Sequence, residues 1–416
     1  MRYVSFVSNK PTTALWRDRW VIVFGSTTAG IGAFVFVLVA TRSLGLEDFS
    51  PISQLWTVWA IAAAVVTFST QVVTVRREVL AGRTAISRTA ELMPLLLLLA
   101  IVTPVLLVYR VRIFGDSNVL WPIIGILIPM GSFATGKARG WLAVHGSSVH
   151  LASVIGGENL VRGVIAIPLA LIGAPAIWFA VAILAGYLVA LVGLRGMRGP
   201  AEPDDEGTGA GDRWIPASAS TAGICDLLLM VTAPTVLATS SDNPALVSAL
   251  FVAMAVYRLP YQFVLGLIPS LTRTFTETLP LMPASEIRRW SIRVGTWSLL
   301  ACVAAAFFGL LVGESIIAPI FAAQGELDPI DHALAAVLAI VATIALICSV
   351  ALLAVARSIR VMAVWVAVAL VTISLAYSSG GDATQIISTM LIGLSVAVIA
   401  LGLPFVGGRG AVPAIT

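Results

Sequence analysis

RGMRGPAEPDDEGTGAGDRW, residues 195–214, divides this chain into two halves of the same character. Glycine, proline and acidic residues fill the stretch, so it cannot bury enough apolar surface to pack, and it reads as a flexible linker. On both sides of it, long apolar runs follow one another with only short polar turns between them. About 20 apolar residues, rising 1.5 Å each, cross the ~30 Å hydrocarbon layer of a bilayer. By that measure six spans precede the linker, near 20–41, 52–75, 92–109, 119–136, 148–172 and 175–194. Six more follow it, near 217–239, 246–271, 294–313, 333–355, 360–378 and 382–404. The expected organisation is a six-helix block at 1–194, a linker at 195–216 and a second six-helix block at 217–416.

Composition agrees. Hydrophobic residues make up 59% of the 416 positions and charged residues 11%, against roughly 45–50% and about 25% in soluble domains. Lipid must therefore solvate most of this surface. The fold class is an all-α polytopic membrane protein of about twelve spans. Residues 1–19 are polar and carry Arg2, Lys10, Arg17 and Arg19, and the apolar run after them lacks a small-residue exit site. That pattern is not a cleavable signal.

Charge placement sets an orientation. With the N-terminus in the cytoplasm and strict alternation, the cytoplasmic segments hold 20 of the 25 Lys and Arg residues. The external loops hold three, Arg42, Arg110 and Arg112, and are otherwise acidic. This is the positive-inside pattern, and it puts both termini on the cytoplasmic side. The net charge of +4 thus sets topology; it forms no basic stripe with interleaved aromatics of the kind that binds nucleic acid. Arginine outnumbers lysine 23 to 2, a bias associated with GC-rich bacterial genomes, and the expected location of such a polytopic chain is a bacterial plasma membrane. Cys225, Cys302 and Cys348 lie inside apolar runs, and the histidines at 145, 150 and 332 are scattered, so no disulfide, metal or cofactor motif is expected.

Ionisable residues deep in a span cost at least ~2.5–3.5 kcal/mol to insert and mark candidate function. In VYRLPYQFVLGLIPSLTR, residues 256–273, Arg258, Tyr261 and Gln262 share a face, and Pro260 and Pro269 can bend the helix. Arg258 lies roughly 18 Å deep by helical rise. Asp226, in the preceding span, sits at similar depth and is the partner expected for Arg258, either as a buried structural pair or as a cavity pair that a substrate anion or a proton breaks. Glu158 and Arg162 stand four apart in the favourable order and read as a self-satisfied structural ion pair. In the second span, Ser53, Thr57, Ala60, Ala64, Thr67, Gln71 and Thr74 form a small and polar stripe, which serves either tight packing or a wet cavity. In the first span Gly25, Thr28, Ala29 and Gly32 favour close approach to a neighbour.

Three segments carry a resemblance. TTAGIGAFVFVLVATRSLGLEDFSPISQL (27–55) resembles the opening hairpin of bacterial polysaccharide-export flippases, with Ser50 where that family has glycine. KARGWLAVHGSSVHLASVIGGENLVRGVIAIPLALIG (137–173) is similar to the region around their fourth and fifth helices, with Glu158 and Arg162 matching a Glu and a following Arg. GESIIAPIFAAQGEL (313–327) is similar to their outer turn between helices 9 and 10. The resemblance implies the multidrug/oligosaccharidyl-lipid/polysaccharide exporter superfamily: two six-helix lobes around a central cavity, moving lipid-linked oligosaccharide by alternating access. It implies a cavity lined by helices 1, 2, 7 and 8. Arg258, with Gln71, Gln262, Tyr261 and Arg42 near the outer mouth, would then hold phosphate or acidic sugar, with Asp226 as the partner of Arg258. The partners it implies are an anionic lipid-linked oligosaccharide, the bilayer, and a polysaccharide polymerase with glycosyltransferases.

Other readings remain. A drug exporter of the same superfamily shares all of these features. A major-facilitator transporter is disfavoured because TVRREVLAGRTA (74–85) lacks the Gly-x-x-x-Asp-Arg-x-Gly-Arg-Arg loop. A membrane glycosyltransferase could use Glu47 and Asp48, but their loop is short, and the pattern also reads as an acidic helix N-terminus. A non-enzymatic transporter is the expectation.

Overall fold

The computed structural model describes residues 12–80, 88–114, 117–194, 214–240, 244–321, 327–379 and 382–406. The linker up to residue 213 and the polar turns at 115–116 and 322–326 lie outside the described residues. The described chain is helical: α1 (Thr12–Ala62), α2 (Phe68–Val79), α3 (Arg88–Val108), α4 (Arg110–Phe114), α5 (Leu120–His145), α6 (Ser148–Leu171), α7 (Ala176–Ala185), α8 (Leu188–Leu194), α9 (Ile215–Ser240), α10 (Pro244–Tyr257), α11 (Leu259–Thr278), α12 (Ala284–Phe321), α13 (Pro329–Ala354), α14 (Ser358–Ser379) and α15 (Ala383–Val406). Among the described residues, eight stretches are long and apolar enough to cross a membrane, and Ala176–Leu191 and Ile215–Met230 are shorter apolar helices. Twelve passes follow once broken helices are joined, as the apolar runs predict.

Local chemistry explains the departures from simple spans. The first two passes form one helical run bent at Gly45, whose φ of 76° is open to a residue without Cβ. The second pass then continues through a π-helical turn at Ala63–Thr67 into α2. The eighth pass breaks between α10 and α11, with Arg258 at the junction. Pro260 just beyond it offers no backbone N–H, and its ring crowds the carbonyl four residues back. Pro269, by contrast, lies within a continuous α11. The ninth pass is longer than its apolar run, because α12 begins ten residues earlier in a charged turn.

Each half packs its own core. Phe36, Ile52, Leu55, Ile128, Phe179 and Ile183 anchor the first. Leu250, Leu338, Leu346, Trp365, Ile386 and Leu394 anchor the second, which also takes in Phe68, Val72 and Val73 from α2. The second pass is thus one element through which the lobes meet; Ser26 of the first pass also seats against Gly266 of α11. Within the first lobe, α1 and α6 approach closely: a Cβ on Gly25 would stand 2.6 Å from the Ala152 carbonyl oxygen, and one on Gly32 would stand 2.6 Å from Asn159 backbone atoms. The small-residue face of the first span serves this contact. Large apolar side chains on α12, among them Trp297, Phe307 and Leu311, are exposed, which is the expected state of a lipid-facing helix.

Candidate functional site

Between the lobes lies a narrow cavity of about 20 Å³. Trp59, Ala60, Ala63, Ala64 and Phe68 form the wall from the first half. Gly223, Leu227, Arg258, Tyr261, Gln262, Leu265 and Leu346 form the wall from the second. Ala60 and Ala64 face the cavity, while Thr67, the Gln71 carbonyl and Thr74 lie against Gly136 and Gly140 of α5 and the Thr74 hydroxyl donates to Glu91 of α3. Thr67 Oγ1 donates to the Ser132 carbonyl at 3.0 Å, and Gly136 seats against Thr70 as well. The stripe therefore does both jobs. Ser220 Oγ of α9 donates across the lobes to the carbonyl of Val65 within the π turn, at 3.0 Å.

Arg258, at the helix break, is half-buried in the wall, and its Nε makes no hydrogen bond. Tyr261 and Gln262 follow on the first turn of α11. Asp226 lies behind this wall with 0% exposure. Tyr261 and Arg258 are the polar groups that bear on it, yet neither carboxylate oxygen accepts a hydrogen bond. The structure thus gathers Asp226, Arg258, Tyr261 and Gln262 in one place. Gln71 is buried at the α5 contact and is not a wall residue. Arg42 is exposed near the Gly45 bend and is likewise not a wall residue.

Behind Trp59 stands a second polar cluster. Arg162, with no exposed side-chain surface, places Nη2 2.7 Å from Oε1 of Glu158. Its Nε donates to the Ile183 carbonyl at 2.9 Å and its Nη1 to Asn159 Oδ1 at 2.6 Å. Arg139 on α5 reaches the other carboxylate oxygen of Glu158 at 2.8 Å. The Arg162 guanidinium lies 5.2 Å from the Trp59 ring centroid and 4.8 Å from that of Tyr187, whose hydroxyl meets Ser132 Oγ at 2.9 Å. Trp59 Nε1 donates to Glu158 at 3.4 Å. One carboxylate faces two guanidiniums, so the cluster carries a net positive charge directly behind a cavity wall.

Sequence reasoning placed Glu158 and Arg162 together but missed Arg139, which reads as a turn charge, and Trp59, which falls off the polar stripe. A third cluster was missed as well. Glu91 of α3, 2% exposed, receives Arg77 at 2.7 Å, Lys137 at 3.2 Å and Thr74 Oγ1 at 2.8 Å, tying the second, third and fourth passes at the arginine-rich face. The apolar flanks hid it: an acid beside Pro94 at a helix start looks like an ordinary first-turn acid.

Two six-helix lobes meeting at a central cavity define a class, the multi-pass helical fold of the MATE transporters. A MATE protein in its bent conformation aligns with a TM-score of 0.69, covering 96% of this chain and 95% of its own at 15% identity. The outward-facing conformation of a multidrug resistance MATE family transporter of the MOP superfamily gives 0.67, covering 95% of this chain and 96% of its own at 15% identity. A MOP superfamily transporter from Pyrococcus furiosus, whose binding pocket of reverse polarity suggests a different function, gives 0.65, covering 95% and 96% at 14% identity. At these identities the likeness is one of fold. No protein-family model and no curated protein matches the chain.

Proposed function

We propose that this protein is a plasma-membrane transporter that moves the anionic headgroup of a lipid-linked oligosaccharide across the bilayer by alternating access. One observation carries the reading: the cavity wall presents the Arg258 guanidinium, while Asp226 is walled off with 0% exposure. A guanidinium in a low-dielectric wall attracts phosphate or an acidic sugar. Tyr261 and Gln262 add hydrogen-bonding groups and Trp59 an aromatic surface, which suits a saccharide. The positive cluster behind Trp59 lends the same sign of field. In this conformation the cavity holds about 20 Å³, room for about one water, so a headgroup enters it only when the lobes part, while its lipid tail stays in the bilayer. In this reading the arginine-rich face is cytoplasmic, the linker at 195–216 joins lobes 1–194 and 217–416 on that side, and the polymerase and glycosyltransferases act before and after transport.

The test is reconstitution into vesicles with a fluorescent undecaprenyl-pyrophosphate-linked saccharide, scoring its appearance in the opposite leaflet. Protein-dependent movement that fails in Arg258→Ala supports the reading; movement at the protein-free rate refutes it. A second reading, small-molecule export, is favoured by the fold neighbours described as multidrug transporters. Uptake of cationic dyes by the same vesicles, with no movement of the lipid-linked saccharide, would establish it instead.

A further inference from the structure

Arg76 and Arg273 make the same contact twice, in opposite directions across the lobe interface. Arg76, in the last turn of α2 and only 5% exposed, donates from Nη1 to the Leu353 carbonyl at 3.2 Å and to the Ala354 carbonyl. Those are the final residues of α13, in the other lobe. Arg273, on α11, donates from Nη1 to the Ala143 carbonyl at 2.9 Å, two residues from the end of α5 in the first lobe. The α2 helix ends the second pass of its half, and α11 ends the second pass of the other. The α5 and α13 helices are the fourth passes. Each lobe thus sends an arginine from its second pass to the carboxyl end of the other lobe's fourth pass.

The chemistry at each end is that of a cap. The last carbonyls of a helix have no partner within it, and the helix dipole places partial negative charge there. At α13 the chain turns away through Ala356, whose φ is 57°; its N–H takes Leu353 and the Arg357 N–H takes Leu352. Arg76 then reaches Leu353 and Ala354 from across the interface. At α5 the Gly146 N–H takes Leu142, and Arg273 takes Ala143. Arg273 is itself held from behind by Glu277, with Nε 2.9 Å from Oε1. A cap from the same lobe would stabilise one helix. A cap from the opposite lobe stabilises only the arrangement in which the two lobes meet on this face.

We propose that Arg76 and Arg273 form a paired latch that holds the arginine-rich face closed, and that both arms release when the cavity opens toward that face. The inference needs the lobes to move but is independent of the substrate. Arg76 is the stronger arm, because it is buried and reaches two carbonyls, whereas the Arg273 side chain is 41% exposed.

The test uses the full chain in lipid nanodiscs, without substrate. Spin labels are introduced through Val149→Cys and Ser285→Cys, both exposed in the first turns of α6 and α12 on this face, after replacement of the three native cysteines. Pulsed dipolar spectroscopy then reads the distance between lobes. Loss of a charge-assisted hydrogen bond should move the closed-to-open ratio by about tenfold per arm. Arg76→Ala should shift it further than Arg273→Ala, and the double variant furthest, toward a longer distance. Arg76→Gln with Arg273→Gln, which keep a donor without the charge, should fall between and serve where the alanine pair does not fold. A folded double variant with the parental distance distribution overturns the latch. Because the readout contains no lipid-linked saccharide, that result would leave the transport reading standing, and failure of the flipping assay would leave the latch standing.

Discussion

Arg139 on α5 and Glu158 on α6 meet at 2.8 Å, which turns a pair within one helix into a bridge between two. Glu158 has Arg162 on its other oxygen at 2.7 Å, and all three sit below the surface. Breaking such a group by removing one partner leaves an uncompensated buried charge and costs about 3–5 kcal/mol. Glu158→Gln should be the most damaging single change, because it strands two guanidiniums at once. Arg162→Ala should follow, since it also loses its bonds to Ile183 and Asn159. Arg139→Ala should be mildest. Thermal melting of the purified variants in detergent checks the order; an unshifted midpoint for Glu158→Gln would show that the cluster does not hold the lobe together.

Asp226 should behave in the opposite way. Its carboxylate is fully buried, and neither oxygen accepts a hydrogen bond. A charge in such a place opposes folding. Asp226→Asn removes the charge at nearly constant volume, so the variant should melt at or above the parental temperature. A fall of several degrees would mean that the carboxylate is paired in the folded protein. Its transport rate is a separate readout: loss of activity without loss of stability would assign Asp226 to the transport cycle.

Arg258 sits in the cavity wall with an unbonded Nε, so its removal should affect the passenger more than the scaffold. Arg258→Ala should lower transport of an anionic headgroup at least tenfold at equal protein level, since a charged hydrogen bond contributes about 1.5–3 kcal/mol. Arg258→Lys should retain part of the rate, because lysine keeps the charge but not the planar fork. Equal rates for all three proteins would remove Arg258 from the binding site.

These sites differ in how far the sequence exposes them. The passes are legible because each must supply about 20 apolar residues to cross lipid, and the Glu158–Arg162 pair is legible because i,i+4 spacing places both groups on one helix face. Arg258 stands out as a charge inside an apolar run beside proline. What periodicity sees is one helix at a time. Arg139 as a third member of the ion cluster, Trp59 as the wall between cluster and cavity, and Arg76 as a cap on a helix 277 residues away depend on how separate passes pack. The π turn at Ala63–Thr67 leaves no sequence mark, and neither does the division of the polar stripe between a cavity face and a packing face.

Two glycines separate the stability of a lobe from the fit between lobes. Gly32 of α1 faces the Asn159 backbone of α6 inside the first lobe, where an added Cβ would stand 2.6 Å from main-chain atoms that cannot swing aside. Gly223 of α9 faces the Ala64 carbonyl of the π turn in the other lobe, again main chain. Overpacking of this kind costs about 1–3 kcal/mol, but the two substitutions load different contacts. Gly32→Ala must push α1 off α6, so the lobe itself should melt earlier. Gly223→Ala can be relieved by parting the lobes at the cavity wall, so it should leave the melting midpoint near the parental value while slowing transport. The pair is read by melting and vesicle transport on the same preparations. If Gly223→Ala lowers the midpoint as much as Gly32→Ala does, the contact between α9 and the π turn belongs to a rigid core, and the lobes do not part there.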